Sequence, residues 1–153
     1  MKTAIDHTCG HRTEANLTGT NTHGERDRKA THLATRPCPD CARADRETGR
    51  QEQNQQAAAD ASANGWPALT GTDRQIAWAT TLRAETIQAM ADRLARHHDT
   101  DAADQALHAW TGEALRHTEA AWWIDNRALG IRAVNNDLTP EGRAALQALT
   151  AGK

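Results

Sequence analysis

Cys38-Pro39-Asp40-Cys41-Ala42-Arg43-Ala44-Asp45 is the stretch on which the reading of this chain turns. A Cys-x-x-Cys step lets one tight turn aim two sulfurs at a common point. Proline lacks an N–H and fixes φ, which suits the first position of a helix, so Pro39 predicts a helix whose first turn carries Cys41. The N-terminal end of a helix also favours thiolates.

Upstream, the one remaining cysteine stands in Cys9-Gly10-His11. Gly10 permits a sharp turn without a clashing Cβ, so this pair can also face a single ion. Three cysteines cannot all pair within the chain, and three thiolates with one imidazole form a standard tetrahedral zinc set. Cys9, His11, Cys38 and Cys41 are therefore the expected ligands of a structural zinc. His7 lies the same distance from Cys9 and competes with His11 for the fourth place. Four protein ligands leave no open position for a substrate water, so a structural role outranks a catalytic one.

The 26 residues between the pairs divide into a strand from Arg12 to Thr18, a turn from Gly19 to Gly24 and a charged helix from Glu25 to Ala34. Strand, knuckle, strand and ligands at a helix start would make a small α+β finger, treble-clef or zinc-ribbon like, over residues 1–45. Apart from Met1, its large aliphatic side chains are Ile5, Leu17 and Leu33. Each contributes about 1.5–3 kcal/mol on burial. A structural zinc contributes about 10–16 kcal/mol in small modules. Either the metal holds this segment or the segment stays disordered.

Downstream, residues 46–65 are polar and low in complexity, with Gln51-Glu52-Gln53-Asn54-Gln55-Gln56 followed by alanines. They read equally as a linker or as an extension of the helix opened by Pro39. Residues 66–153 carry most of the remaining apolar side chains and predict a helical bundle. Thr72-Asp73-Arg74-Gln75 fits a capping box. Beyond it Ile76, Ala79, Leu82 or Arg83, Ile87, Met90 and Leu94 recur at helical spacing, ending near His97-His98. A second helix runs from about Ala102 to Arg116, with Ala103, Leu107, Trp110 and Ala114 on one face. Thr118 reads as the N-cap of a short helix from Glu119 to about Leu129, stopped by Gly130. Thr139-Pro140-Glu141 opens the last helix, docked by Ala145, Leu146 and Leu149. Trp78, Trp110 and one of Trp122 or Trp123 are expected in the core.

Composition agrees with a mainly α protein. The 153 residues include 31 alanines, no Phe or Tyr, and Val134 as the one valine. The formal charge of −2 argues against a strongly basic nucleic-acid binder. No apolar run approaches the roughly 18 residues of a membrane helix, and the N-terminal residues have no hydrophobic signal core. A cytoplasmic protein with reduced thiols is expected.

The motifs resemble those of uncharacterised small bacterial proteins with an N-terminal Cys-Gly-His/Cys-Pro-x-Cys zinc finger and a C-terminal helical domain. The likeness rests on Cys9-Gly10-His11, Leu17-Thr18-Gly19, Glu25-Arg26-Asp27-Arg28-Lys29 and Cys38-Pro39-Asp40-Cys41 in the front. In the back it rests on Leu69 through Ala79 and on Trp123-Ile124-Asp125-Asn126-Arg127. The resemblance implies zinc and this architecture, but no reaction. Relatives with a cysteine at the place of His7 keep the fourth ligand open.

A zinc-stabilised binding or adapter protein, engaging nucleic acid or a protein partner, is the function these features favour. Arg12, Arg26, Arg28, Lys29, Arg36, Arg43 and Arg46 are candidate phosphate contacts, interrupted by Glu25, Asp27, Asp40, Asp45 and Glu47. An exposed Trp122 or Trp123 beside Arg127 would offer a stacking or partner surface. A homo-oligomer burying that tryptophan is the alternative, ahead of an enzyme with a site among the helices. His97, His98, His108 and His117 form no i, i+4 ligand pair and read as a solvated group. Asp125 and Arg127 are candidates for salt bridges to Arg74 or Asp73.

Overall fold

The computed structural model describes residues 2–19, 21–96 and 100–151, with backbone alone at 148–151. Two compact units divide the chain, Met1–Glu52 and Gln53–Lys153. Among the described residues the protein is mainly α-helical, with one small sheet at the front.

The first unit opens with β1 (Lys2–Asp6) and β2 (Arg12–Asn16), an antiparallel hairpin in which Asp6 faces Arg12. The Arg12 guanidinium grips the Asp6 carboxylate with two hydrogen bonds of 2.6 and 2.8 Å. That contact holds the Asp6 carboxyl below its usual range and raises Arg12. Ile5 and Leu17 are buried, and α1 (Glu25–Ala34) packs against β1. No side chain caps α1 from its own N-cap, which is Gly24 in the left-handed region. Instead the Asn21 side chain accepts from the Arg26 backbone N–H at 3.0 Å.

The next helix, α2 (Pro39–Ala63), starts at the expected proline and continues without a break through the polar stretch. Alanine, glutamine, arginine and glutamate all favour helix, so the absence of a broad apolar face does not end it. The boundary between the two units falls inside α2. In the second unit Ala57 and Ala61 are buried, and Asn54 accepts a 2.7 Å hydrogen bond from the Thr81 hydroxyl.

Five further helices build the second unit: α3 (Asp73–Leu94), α4 (Thr100–Leu115), α5 (Ala120–Asp125), α6 (Ile131–Asn136) and α7 (Pro140–Ala151). The capping box at the start of α3 forms as the sequence predicts. The Gln75 N–H donates to the Thr72 hydroxyl, and the Thr72 N–H donates to the Gln75 side chain at 3.0 Å. Leu69, Ala79, Trp110, Ala114, Ala120, Trp123 and Val134 form the core, with Ile76, Ile87, Met90 and Leu146 packed on it. Trp110 is fully enclosed and donates its indole N–H to Asn135 at 2.8 Å. Of Leu82 and Arg83, it is Arg83 that is buried. Its guanidinium donates to the Pro67 carbonyl at 2.9 Å and lies 5.3 Å from the Trp66 ring centre.

Four expectations are corrected. Trp78 is not a core anchor but is 45% exposed. Its place on α3 lies off the stripe of Ala79, Arg83 and Ile87. The single helix expected from Glu119 to Leu129 is only α5; the chain then passes through turns at 126–130 into α6, which the sequence did not suggest. Gly130 supplies the left-handed φ of 52° where α6 begins. The N-cap of α5 is Glu119, not Thr118. The Thr118 carbonyl instead accepts from the Thr70 N–H at 2.8 Å, and the Ala120 N–H donates to the Thr70 carbonyl at 2.9 Å. This pairing ties the Leu69-Thr70-Gly71 segment to the start of α5. Finally, Ala145 is exposed; the Leu149 side chain and the His97-His98 pair lie outside the described residues.

Polar contacts also fix the last helix. Thr139 caps α7, its hydroxyl accepting from the Gly142 N–H at 2.9 Å. The same hydroxyl donates to Glu113 of α4 at 2.7 Å, and the Thr139 N–H donates to the same carboxylate at 3.0 Å. The Thr139 N–H is the main reason the Glu113 carboxyl is held below its usual range, with the Thr139 hydroxyl and Arg116 assisting. A Cβ at Gly142 would lie 2.4 Å from Glu113 Cδ, so this approach requires glycine. Gly142→Ala should cost about 1–3 kcal/mol in urea unfolding, the worth of hydrogen bonds to a charged group. Glu113→Ala should cost a similar amount, and the double variant less than the sum. Additive losses would show that the two positions do not meet.

His117 supplies a second test. Its ring stacks on Trp122 with centres 3.6 Å apart and planes at 6°, and its Nε2 lies 3.6 Å from Asp137. Burial pulls its pKa below 6.5, with Arg116 adding to that and Asp137 and Glu113 opposing it. The fold thus prefers neutral imidazole. Its contribution to stability is complete above the unfolded value and is lost as pH falls through the lowered folded value. Melting temperature should therefore decline on acidification below about pH 6.5, and His117→Gln should flatten that decline. An unchanged slope would remove His117 as the cause.

Candidate metal centre

The hairpin turn between β1 and β2 carries the first pair. Gly10 has φ 79°, its N–H donates to the His7 carbonyl at 2.9 Å, and the His7 N–H donates to the His11 carbonyl at 2.9 Å. Those bonds fold the turn back on itself and present Cys9 and His11 on one side. The second pair sits where α2 begins, with Cys38 just before the helix and Cys41 in its first turn. The site thus joins a hairpin knuckle to a helix start.

The Sγ atoms of Cys9, Cys38 and Cys41 and a ring nitrogen of His11 all lie within 4.8 Å of one another. His11 Nδ1 is 3.2 Å from Cys41 Sγ and 3.7 Å from Cys38 Sγ. Zinc–sulfur bonds of about 2.3 Å and zinc–nitrogen bonds of about 2.0–2.1 Å, at tetrahedral angles, place sulfur and nitrogen about 3.6 Å apart and two sulfurs about 3.8 Å apart. The two His11 distances, 3.2 and 3.7 Å, lie on either side of the sulfur–nitrogen value. The four residues are thus close enough to hold a metal ion.

Backbone donors prepare the sulfurs for charge. The Cys38 N–H points at Cys9 Sγ from 3.2 Å, and the Cys41 N–H points at Cys38 Sγ from 3.4 Å. The Cys38 N–H, followed by the His11 backbone, pulls the Cys9 thiol down to about 6. Hydrogen bonds with the Cys38 and Cys9 sulfurs push Cys41 up to about 12. The cluster readily takes one negative charge and resists the next, which is the electrostatic condition a bound dication relieves.

His7 has a different task. Its Nδ1 lies 3.1 Å from the Leu33 carbonyl and 3.0 Å from the Arg36 carbonyl. Carbonyls only accept, so Nδ1 carries the proton and donates to both. Nε2 lies 2.8 Å from the Thr13 hydroxyl. The ring is buried, and the Thr8 N–H adds a 3.3 Å bond to Arg36. His7 therefore braces the knuckle against the segment that leads from α1 into Cys38. Sequence spacing alone could not separate it from His11, since both stand two residues from Cys9.

The other candidate residues are dispersed. Arg26 binds the Gly19 carbonyl through Nε at 2.8 Å and through Nη2, closing the loop before α1. Arg28 and Lys29 are exposed on α1. Trp123 is buried, with its indole N–H on the His117 carbonyl at 2.9 Å, and Trp122 is half-buried against His117. Neither offers the open ring expected beside Arg127. Arg127 instead lies 5.8 Å from the Trp78 ring centre and donates to the Ile124 carbonyl at 2.7 Å. Among the described residues it makes no ion pair with Asp73, and Asp125 makes none with Arg74.

Comparison of the chain with protein-family models, with curated proteins and with solved structures finds no match. The likeness to small zinc-finger proteins therefore rests on the motifs alone.

The two histidines separate by experiment. His11→Ala should weaken cobalt(II) or zinc binding by two orders of magnitude or more, since it removes a ligand. His7→Ala should keep one metal per chain while lowering the stability of the first unit by about 1–3 kcal/mol, the cost of orphaned buried carbonyls. Equal metal loss from both variants would contradict this division of roles.

Proposed function

We propose that the chain is a zinc-stabilised binding protein, an adapter whose N-terminal finger is held by Cys9, His11, Cys38 and Cys41. The observation that carries this reading is the convergence of three thiols and one imidazole within 4.8 Å of one another, with backbone N–H groups on two of the sulfurs. Soft thiolate donors with imidazole select zinc over magnesium or calcium. Four protein donors fill a tetrahedron, so the metal supplies cohesion rather than an open catalytic position. Such a site suits a reducing compartment such as the cytoplasm. No helix among the described residues is long and apolar enough to cross a membrane.

Between nucleic acid and protein as partner, the charges favour protein. Of the expected phosphate contacts, Arg12 is engaged by Asp6, Arg26 by Gly19 and Arg43 by Asp40. Arg28, Lys29, Arg36 and Arg46 remain exposed, but on a chain of net negative charge. A nucleic-acid partner would show steep loss of binding with salt.

Elemental analysis of protein purified without added metal should give one zinc per chain, and Cys38→Ser with Cys41→Ser should abolish it. A strong chelator should remove amide-exchange protection from the hairpin and α1, while the helices of the second unit keep theirs. A hairpin that stays protected in chelator, with no metal present, would refute the proposal.

A further inference from the structure

A cleft of about 360 Å³ lies in the second unit, where α3 meets the turn and helix that follow α5. Leu82 and Ile131 form part of its wall, and Arg93, Arg127 and Arg132 line it together with one acid, Glu85. None of the three arginines lies within 4.0 Å of a carboxylate among the described residues. One exposed large apolar side chain lines the cleft, and a second stands beside its lining residue Arg127. Leu129 is 46% exposed and lines the cleft, and Trp78 is 45% exposed with its ring under the Arg127 guanidinium.

We propose that this cleft is a docking site for an acidic protein segment that also carries apolar side chains. Guanidinium groups present planar forks that match carboxylates, and three of them with no carboxylate within 4.0 Å among the described residues make the site selective for negative charge. Tryptophan and arginine together are the residue types that dominate binding energy at protein interfaces. Trp78 and Leu129 would lose water on docking, and Arg127 is held in place by the Ile124 carbonyl and the Trp78 ring.

A single-stranded nucleic acid fits less well. Leu129 has no π-face for a base, and a backbone track needs a longer run of cations than one cleft supplies. No candidate zinc ligand lies in the second unit, so the proposal goes beyond the metal reading and stands or falls separately.

The test uses the full zinc-loaded chain and three labelled probes: a peptide alternating Glu with Leu, its Lys-for-Glu counterpart, and an oligothymidylate of equal length. Fluorescence anisotropy reads affinity, and the Trp78 indole N–H resonance reports the location. The acidic peptide should bind saturably and shift the Trp78 resonance. Arg93→Glu with Arg132→Glu should weaken it at least about tenfold, a change of 1.4 kcal/mol, with helical circular dichroism unchanged. Trp78→Ala should weaken it without altering the fold. The proposal is overturned by no binding at millimolar peptide, by equal binding of the lysine peptide, or by affinity that survives charge reversal. Tighter binding of the oligothymidylate would assign the cleft to nucleic acid instead. Sedimentation showing a dimer that Trp78→Ala dissolves would assign it to a second copy.

Discussion

Three thiols and an imidazole held within 4.8 Å make a cluster that can accept one negative charge easily and a second only with difficulty. The opposite shifts of Cys9 and Cys41 express this: backbone N–H groups invite charge on one sulfur, and sulfur neighbours resist it on another. A divalent cation would convert mutual repulsion into attraction and tie the hairpin turn to the start of α2 at one point. The dependence of the first unit on this point follows from its poverty in apolar side chains. Ile5 and Leu17 are its buried aliphatic residues. The rest of its cohesion is polar, as in the His7 brace and the Arg26 closure of the loop before α1.

The second unit solves the same problem differently. With 31 alanines in the chain and few large side chains, helices approach closely and depend on a handful of bulky residues. Trp110 and Trp123 supply the largest buried surfaces, and each indole N–H finds an acceptor, Asn135 or the His117 carbonyl. Polar contacts then set helix order. Glu113 reaches from α4 to cap α7, and Thr70 bonds the backbone on either side of Glu119. Arg83 is the costly member: burial pulls its pKa down, and one carbonyl and one aromatic face offset only part of its desolvation.

Features decided by short-range chemistry were legible in the sequence. The capping box at Thr72, the Thr139-Pro140 start and the helix opened by Pro39 each depend on residues whose stereochemistry narrows the choice. The convergence of Cys9, His11, Cys38 and Cys41 is a long-range contact that is legible because few residue types bind a metal; other features decided by long-range contact are not. Residues 46–64 hold strong helix formers but no broad apolar face, which leaves a linker and a continuation of α2 both open in the sequence. His7 and His11 are equivalent in spacing, and the Leu33 and Arg36 carbonyls that separate them lie 26 and 29 residues from His7. Gly130, expected to stop a helix, instead opens α6, while α5 already ends at its C-cap Asn126.

The tryptophans show the same limit and lead to the surface. Trp78 is expected in the core for its size and hydrophobicity alone, although it stands outside the helical stripe that runs through Ile76, Ala79 and Ile87. Ala79 and Arg83 take the inner stripe, and Trp78 turns outward beneath Arg127. Of Trp122 and Trp123, adjacent positions that cannot share one face, Trp123 takes the core and bonds the His117 carbonyl, while Trp122 is half-buried and stacks flat on the His117 ring. The aromatic left outside is Trp78, close to Arg127, which has no carboxylate within 4.0 Å among the described residues. The cation–π contact contributes about 0.5–1 kcal/mol at such an exposed site, and docking of the proposed acidic segment would add burial of the ring.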